Sequence, residues 1–290
     1  MFHVAGTPPK ELTLGIVHSV MHAGSHKPLR CQLNGRDGTL NWWVVKPQHS
    51  LGATEERTAM SVVAELAAAE VCAWVGLATP EIGLLQFPNS IEERFLPEED
   101  REYLRNLFAV NAGHYAFCSR YLENSFDLVS TTHCSRCQSD AEAHREAELL
   151  YAIDAYIAHD DRTVERPNAL TWGNRIVAID HGSAFVGLDK RGRSAHDVAR
   201  KTVRPPASYL SHPTRPAICG KQPKFESFRR SIEAVLNASI DALSANWPAN
   251  LDHKVEGTNR GLRTQTTEFL KTRRAEVAQL IAEIIRTTEA

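Results

Sequence analysis

A predicted β-hairpin in the middle of the chain constrains its fold more than any other sequence feature. Two short apolar stretches, residues 169–172 and 176–179, are separated by Gly173-Asn174. Two strand-length stretches joined by such a turn predict a hairpin. A chain built around this hairpin must supply other elements that cover its apolar side chains.

Acidic and amide side chains flank this hairpin. Asp161 and Asn168 precede the first strand, and Asp180 follows the second. Enzymes that transfer phosphoryl groups in the manner of kinases build their metal site and position the nucleophile with such loops. Asp161 could accept the proton of an attacking hydroxyl, and Asn168 and Asp180 offer hard oxygen ligands suited to Mg²⁺ on ATP phosphates. The pattern therefore indicates ATP chemistry.

Length and charge narrow the class of protein. A chain of 290 residues can bury one large core or two lobes that share a cleft. The 33 basic and 35 acidic residues nearly balance, which argues against a nucleic-acid-binding protein. The sequence has no apolar run long enough to cross a membrane, and its six cysteines are scattered. We expect a soluble protein of the reducing cytoplasm.

The first part of the chain is rich in predicted strands. Turn signals separate the strand-like runs, and one Ala- and Glu-rich stretch, from about residue 54 to 75, predicts a helix that ends at Gly76. The predicted strands cover residues 12–20, 29–33, 40–46 and 80–87, and residues 115–122 indicate a buried strand or a linker.

The second part is rich in predicted helices. Apolar side chains at helical spacing predict a helix over about residues 142–159, and two more over about 224–246 and 263–286. Residues 190–224 are basic and rich in proline, which predicts an irregular loop. The sequence therefore predicts a bilobed α+β protein, with an N-terminal lobe over 1–122 and a mostly helical C-terminal lobe over 123–290.

Lys46 ends an apolar predicted strand, and Glu65 lies in the helix that follows. A lysine that is partly buried at the end of a strand needs an anionic partner, which a phosphate or a helix carboxylate can supply. Glu70 competes with Glu65 for this role, because it lies on another face of the same helix. Asp160 likewise competes with Asp161 as the inward-facing acid.

In its motifs the chain resembles the HipA-like kinase family, a bacterial branch of atypical protein kinases related in fold to lipid kinases. The resemblance spans roughly residues 12–188. The matching stretches, in kinase order, are Val44-Val45-Lys46, residues 64–70, residues 76–81, residues 117–122, Asp161-Arg162-Thr163, Pro167-Asn168 and Ile179-Asp180-His181-Gly182.

The resemblance implies a protein kinase-like fold, ATP and Mg²⁺ as cofactors, and a protein Ser or Thr as the acceptor. It implies the following roles: Lys46 holds the phosphates, Glu65 orients Lys46, Asp161 is the catalytic base, Asn168 and Asp180 bind magnesium, and Phe117 and Cys118 belong to the nucleotide-binding linker. It leaves open whether a toxin–antitoxin-type partner exists.

The chain departs from the kinase pattern in two places. Protein kinases generally place the metal-binding Asn five residues after the catalytic Asp, whereas Arg stands at position 166 and Asn168 lies seven residues after Asp161. The phosphate-covering stretch around residues 23–26 has only Gly24 in place of a glycine-rich repeat. A nucleotide-binding pseudokinase, a small-molecule or lipid kinase and an adenylyltransferase therefore stay open as alternatives.

Two further features have ordinary interpretations. Cys134 and Cys137 form a single C-x-x-C pair, and free thiols are favoured over a zinc site because no second ligand pair is visible. The basic stretch from Lys190 to Arg204 is favoured as a solvated loop over a groove for an anionic partner.

Overall fold

A computed structural model gives the architecture of the chain. It describes residues 2–22, 27–49, 51, 55–92, 96–188, 194–201, 210–218, 225–245, 247–251 and 261–289.

The N-terminal part forms a closed five-stranded barrel. Its strands are β1 (Lys10–Val20), β2 (Leu29–Gly35), β3 (Leu40–Lys46), β4 (Ile82–Gln86) and β5 (Tyr115–Arg120). They follow the order β1-β2-β3-β5-β4, and β4 closes the barrel by pairing in parallel with β1. The other neighbours are antiparallel, and the register places Lys46 opposite Phe117. The predicted strands are confirmed within two residues at their ends, and the stretch from residue 115 forms a strand.

The predicted helix after β3 is confirmed as α1 (Glu55–Val75). Gly76 ends it with a left-handed backbone (φ +79°), a conformation that costs glycine little. The amide of Leu77 then donates to Cys72 O at 3.0 Å. This closure fixes the C-terminal end of α1, the helix that carries Glu65.

The second sheet is small and contains the predicted hairpin. Strand β6 (Phe126–Asp127) pairs with β7 (Ala169–Trp172), which pairs with β8 (Arg175–Ala178). The backbone of Ala178 donates to Ala78 O at 2.9 Å, and the Thr79 hydroxyl donates to Ala178 O at 3.2 Å. These bonds tie the hairpin to the segment that follows α1.

Helices make up most of the C-terminal part. The helices after α1 are α2 (Arg101–Asn111), α3 (Ser130–Ser139), α4 (Ala141–Tyr156), α5 (Ala195–Lys201), α6 (Arg215–Ile218), α7 (Glu226–Ala234), α8 (Asn237–Leu243), α9 (Leu262–Ala275) and α10 (Val277–Glu289). Asp140 caps α4, because its carboxylate accepts from the amides of Glu142 and Ala143. The predicted helix over 142–159 is confirmed, although it ends three residues earlier.

Three C-terminal predictions are wrong. Residues 190–224 contain α5 and α6 rather than an irregular loop alone, because Ala195, Val198 and Ala199 form a buried apolar face. The predicted helix over 224–246 is divided into α7 and α8, and the one over 263–286 into α9 and α10. Neither break contains Gly or Pro, so packing against different neighbours, α1 for α7 and α9 for α8, decides where the chain turns.

The predicted α+β class is confirmed, with a strand-rich N-terminal part and a helical C-terminal part. One buried cluster fills the barrel and packs against α2. A larger cluster joins α1 to α4 and the C-terminal helices and includes Phe117 of β5. Because this cluster contains residues from both sides of position 122, α1 packs with both parts, and the lobe boundary at 122 stays a prediction.

Among the helices of the described ranges, none is both long and apolar enough for a membrane span.

Candidate active site

Lys46 stands at the point where the barrel meets the C-terminal part. It is the last residue of β3, and its side chain is 15% exposed. The Nζ atom contacts Glu65 Oε1 and lies 2.8 Å from Asp180 Oδ1. Burial alone would lower the pKa of Lys46, but the Asp180 and Glu65 carboxylates outweigh it and raise that pKa, so the ammonium is retained. Three separate elements therefore converge on one cation.

Glu65 is the helix partner of Lys46, as predicted. Its side chain is 2% exposed, and the backbone amide of His181 donates to Oε2 at 3.0 Å. Burial would raise the pKa of Glu65, yet Lys46 and His181 together lower it below its ordinary value. Glu70, the competing candidate, accepts instead from the Gly6 amide at 2.9 Å and lies near His3. The two carboxylates therefore have different partners: Lys46 and His181 for Glu65, and Gly6 and His3 for Glu70.

Asp180 lies in a tight loop after β8. Its backbone is left-handed (φ +58°), and the charge of Lys46 lowers its pKa. His159 Nε2 lies 3.2 Å from Asp180 O. Burial lowers the pKa of His159 to about 3, so a neutral ring donates this bond. The Asp180 side chain remains half exposed, which leaves the carboxylate of this predicted metal ligand accessible.

Gly182 allows this loop to approach α1 closely. A Cβ atom at position 182 would lie 2.6 Å from Ser61 Oγ, well inside contact distance. Ser61 lies one helical turn before Glu65, on the same face of α1. The missing side chain at Gly182 therefore lets the Asp180 loop reach the helix carboxylate.

Asp161 and Asn168 lie in one closed loop. Asn168 Nδ2 donates to Asp161 O at 3.1 Å, and the Ile179 amide donates to Asn168 O at 3.2 Å, which joins this loop to the Asp180 loop. The backbone of Asn168 is left-handed (φ +42°), a region that Asn tolerates better than most residues. The Asp161 side chain is 43% exposed, and Arg166 Nη1 lies 3.7 Å from its Oδ1.

The seven-residue interval between Asp161 and Asn168 is taken up by a turn. The Thr163 amide donates to Arg166 O at 2.9 Å, and the Arg166 amide returns a bond to Thr163 Oγ1 at 3.1 Å. Of the two adjacent acids, Asp160 is exposed whereas Asp161 is half-buried. The enlarged loop is thus an ordered ring.

The roles of two buried residues at this loop, Arg162 and His159, were not predicted from the sequence. Arg162 is 2% exposed and points inward, where it donates to Asp154 on α4, with Nε 2.5 Å from Oδ2. His159 was missed as well. The available signal was its position directly before the two acids, since a polar residue that ends a buried helix needs a hydrogen-bond partner.

Phe117 and Cys118 are placed differently from the other predicted residues. Both lie within β5, and Phe117, 4% exposed, faces the cluster that contains α1. Cys118 is fully buried in the barrel interior, where burial raises the pKa of its thiol. No part of the Cys118 side chain reaches solvent, and its predicted nucleotide contact stays a prediction. Position 117 is next to Lys46 across the β3–β5 pair.

The stretch at residues 23–26, predicted to cradle phosphate, and Lys190 to Arg193 of the basic stretch fall outside the described residues. Cys134 and Cys137 lie on α3 as free thiols, and Cys137 Sγ is 3.2 Å from His133 Nε2.

Within the described residues, no three His, Cys, Asp or Glu side chains cluster as a metal site would require. The donor set at the predicted magnesium site is smaller: the Asp180 carboxylate and the Asn168 amide oxygen. Mg²⁺ characteristically takes one or two protein oxygens and completes its shell with substrate phosphates and water. The residues present therefore fit magnesium held together with a nucleotide.

Comparison with known proteins identifies one family. A model of the family described as HipA-like kinase matches residues 15–276. This range includes Lys46, Glu65, Asp161, Asn168 and Asp180. No curated protein matches the chain.

Proposed function

The chain belongs to the HipA-like kinase family, and from this premise we propose that it transfers the γ-phosphate of ATP to a Ser or Thr hydroxyl of a protein substrate. The proposal includes a bilobed kinase-type architecture, with the nucleotide bound between the barrel and the helical part. In that arrangement each predicted residue has one task.

The convergence of Lys46, Glu65 and Asp180 carries the proposal. Lys46 would bind the α- and β-phosphates, and Glu65 would hold the ammonium in place while phosphate enters. Glu65 is suited to this because its second oxygen is fixed by the His181 amide, in the loop that also carries Asp180. Phosphate binding, ammonium orientation and metal binding are thereby linked in one hydrogen-bonded unit.

Asp180 and Asn168 would hold Mg²⁺. When bound, this ion neutralises charge on the phosphate oxygens and orients them for transfer. Asp180 contributes a carboxylate whose lowered pKa keeps it ionised at neutral pH. Asn168 would contribute its amide oxygen, since the amide nitrogen already donates to Asp161 O.

Asp161 would accept the proton of the attacking hydroxyl. Its side chain is accessible to a substrate, and Arg166 Nη1 lies 3.7 Å from its Oδ1. A carboxylate within hydrogen-bond reach of the nucleophile is what proton transfer needs. The Thr163–Arg166 turn orders the backbone that follows this carboxylate.

The test is a phosphotransfer assay with labelled ATP, read by autophosphorylation and intact mass. Asp161→Ala should lower turnover by about 10²–10⁴-fold, whereas the matched change Asp160→Ala at the exposed neighbour should stay within about twofold. Full activity in Asp161→Ala would remove Asp161 from the role of base. A mass increase of AMP instead of phosphate would identify an adenylyltransferase, and nucleotide binding without transfer would identify a pseudokinase.

A further inference from the structure

Asp154 is a fully buried carboxylate that the proposed chemistry does not use. It lies on α4, and its oxygens accept from three side-chain nitrogens: Arg162 Nε at 2.5 Å, Arg162 Nη2 at 3.3 Å and His212 Nε2 at 2.9 Å. Its backbone carbonyl accepts from the His159 amide at 2.9 Å. A buried carboxylate persists only where such partners compensate it. Asp154 is therefore a fixed point to which other segments attach.

Arg162 connects Asp154 to residues 161–168, the proposed catalytic loop. Its Nη1 donates to Pro167 O at 3.0 Å and also contacts Asn168 O. The guanidinium thus spans the ring between Asp161 and Asn168 from the inside. Displacement of Arg162 would move the backbone on which both side chains depend.

His212 attaches a distant segment, residues 210–214, to the same carboxylate. The Thr214 amide donates to His212 Nδ1 at 3.2 Å, so the ring proton is on Nε2, where it is donated to Asp154. The Thr214 hydroxyl lies 3.2 Å from Ala147 O on α4. The ring is 1% exposed, and its tautomer and orientation are thus determined by neighbours on both sides.

The same segment contacts the outer surface of the catalytic loop. The Val164 amide donates to Ser211 O at 2.8 Å, and the Ser130 hydroxyl donates to Pro213 O at 2.7 Å. The catalytic loop is therefore held on its inner side by Arg162 and on its outer side by Ser211. The contact with Ser211 requires segment 210–214 to be docked, and the same segment also reaches Asp154, the partner of Arg162, through His212.

We infer that His212 is a positioning residue, which docks segment 210–214 and thereby holds the catalytic loop in its working geometry through Asp154 and Arg162. The inference rests on the proposed function for what the loop does. Asp161 and Asn168 are then correctly placed only while segment 210–214, which is remote in sequence, is attached. Attachment of this segment is therefore a step at which activity can be controlled.

Two substitutions separate the atoms involved. His212→Gln retains an amide nitrogen near the Nε2 position and can still donate to Asp154. His212→Asn retains a polar atom near Nδ1 for Thr214 but does not reach Asp154. His196→Ala, an exposed histidine on α5, is the matched control. Each variant is compared in amide hydrogen exchange at Val164 and in steady-state kinetics, well below its melting temperature.

In His212→Asn, the Val164 amide should exchange about tenfold faster, and kcat should fall about tenfold with the KM for ATP within about twofold, because the phosphate-binding Lys46 lies elsewhere. His212→Gln should restore both values to near those of wild type, and His196→Ala should change neither. Unchanged exchange at Val164 in a folded His212→Asn overturns the inference, as does a lower melting temperature without change in exchange or kcat.

If His212→Asn does not fold, Ser130→Ala decides the question at the other end of the segment. Removal of that hydroxyl should accelerate exchange at Val164, and an unchanged rate overturns the inference. A wild-type protein without phosphotransfer activity would contradict the proposed function alone, because the exchange measurements would still test the docking of segment 210–214.

Discussion

Lys46 and Asp180 are ion-paired across 134 residues of sequence, with Nζ 2.8 Å from Oδ1. This pair connects the last residue of a barrel strand with the predicted metal ligand of the C-terminal part. Because Asp180 would bind magnesium in the nucleotide complex, binding must exchange one cation partner of this carboxylate for another. In the proposed complex Lys46 would keep its contact with Glu65 and bind phosphate in place of Asp180.

Removal of the Asp180 carboxylate should separate nucleotide binding from folding. Asp180→Ala should weaken Mg²⁺–ATP binding by at least about 10²-fold, since even changes around a metal ligand cost about 10–100-fold. The melting temperature should change little, because the side chain is half exposed and Lys46 retains Glu65. Calorimetric titration with ATP and Mg²⁺ measures this, with Asp127→Ala, at an exposed position in β6, as control. Unaltered binding in Asp180→Ala would show that the metal assignment is wrong.

Glu65 and Glu70 should differ sharply in their effect on turnover. Glu65→Gln weakens the contact with Lys46, and we expect kcat/KM to fall about 10–100-fold, the equivalent of a lost charged hydrogen bond of about 1.5–3 kcal/mol. Glu70→Gln, which affects only the contacts with Gly6 and His3, should stay within about twofold. Steady-state kinetics on both variants decides between them, and equal losses would contradict the pairing of Lys46 with Glu65.

The close approach of Gly182 to α1 predicts a coupled pair of substitutions. Gly182→Ala places a methyl group against Ser61 Oγ and should destabilise the fold by about 1–3 kcal/mol. In a Ser61→Ala background the nearest remaining atom is 3.7 Å away, so the same change should cost less. Urea unfolding of the four proteins gives the coupling free energy, and strictly additive costs would be inconsistent with this contact.

Burial of His212 predicts acid sensitivity of the fold. Burial is the main cause that lowers the pKa of His212, and the charge of Arg162 lowers it further. Asp154 acts in the opposite direction, but Arg162 already neutralises that carboxylate. The ring also faces Tyr151. A lowered pKa in the folded state means that the unfolded chain takes up a proton first as pH falls below about 6.5. The contribution of His212 to stability is therefore complete above that pH and is lost below it.

The measurement is the free energy of unfolding between pH 7 and pH 5. His212 should contribute a slope of at most about 1.4 kcal/mol per pH unit, and His212→Gln, which has no titrating ring, should lack that contribution. The same slope in both proteins would mean that other groups account for the acid sensitivity.

The barrel strands, α1 and the central hairpin could be predicted because each depends on local sequence patterns. Alternation and turn residues define the strands, and the composition of α1 with Gly76 at its end defines the helix. These elements are the ones that the sequence determines locally. The choice of Glu65 over Glu70 as the partner of Lys46 was expected only from the family resemblance.

The features that could not be predicted depend on contacts between distant segments. Asp154 and His212 are 58 residues apart, and neither belongs to a recognisable motif. The breaks between α7 and α8 and between α9 and α10 likewise carry no Gly or Pro. The place of Cys118 in the interior of the barrel could not be predicted either, because it depends on the pairing of β5 with β3 and β4.

The ring closed by Asp161, Arg162 and Asn168 has a consequence for how such chains diverge. Since hydrogen bonds rather than residue count fix the separation of Asp161 and Asn168, we expect that the intervening turn can gain or lose residues while these two residues stay in place. Loop length is then free to vary under selection for what the turn contacts outside. Relatives in which the interval between these two residues differs should be aligned on the residue equivalent to Arg162. The number of residues between Asp161 and Asn168 is the less suitable criterion.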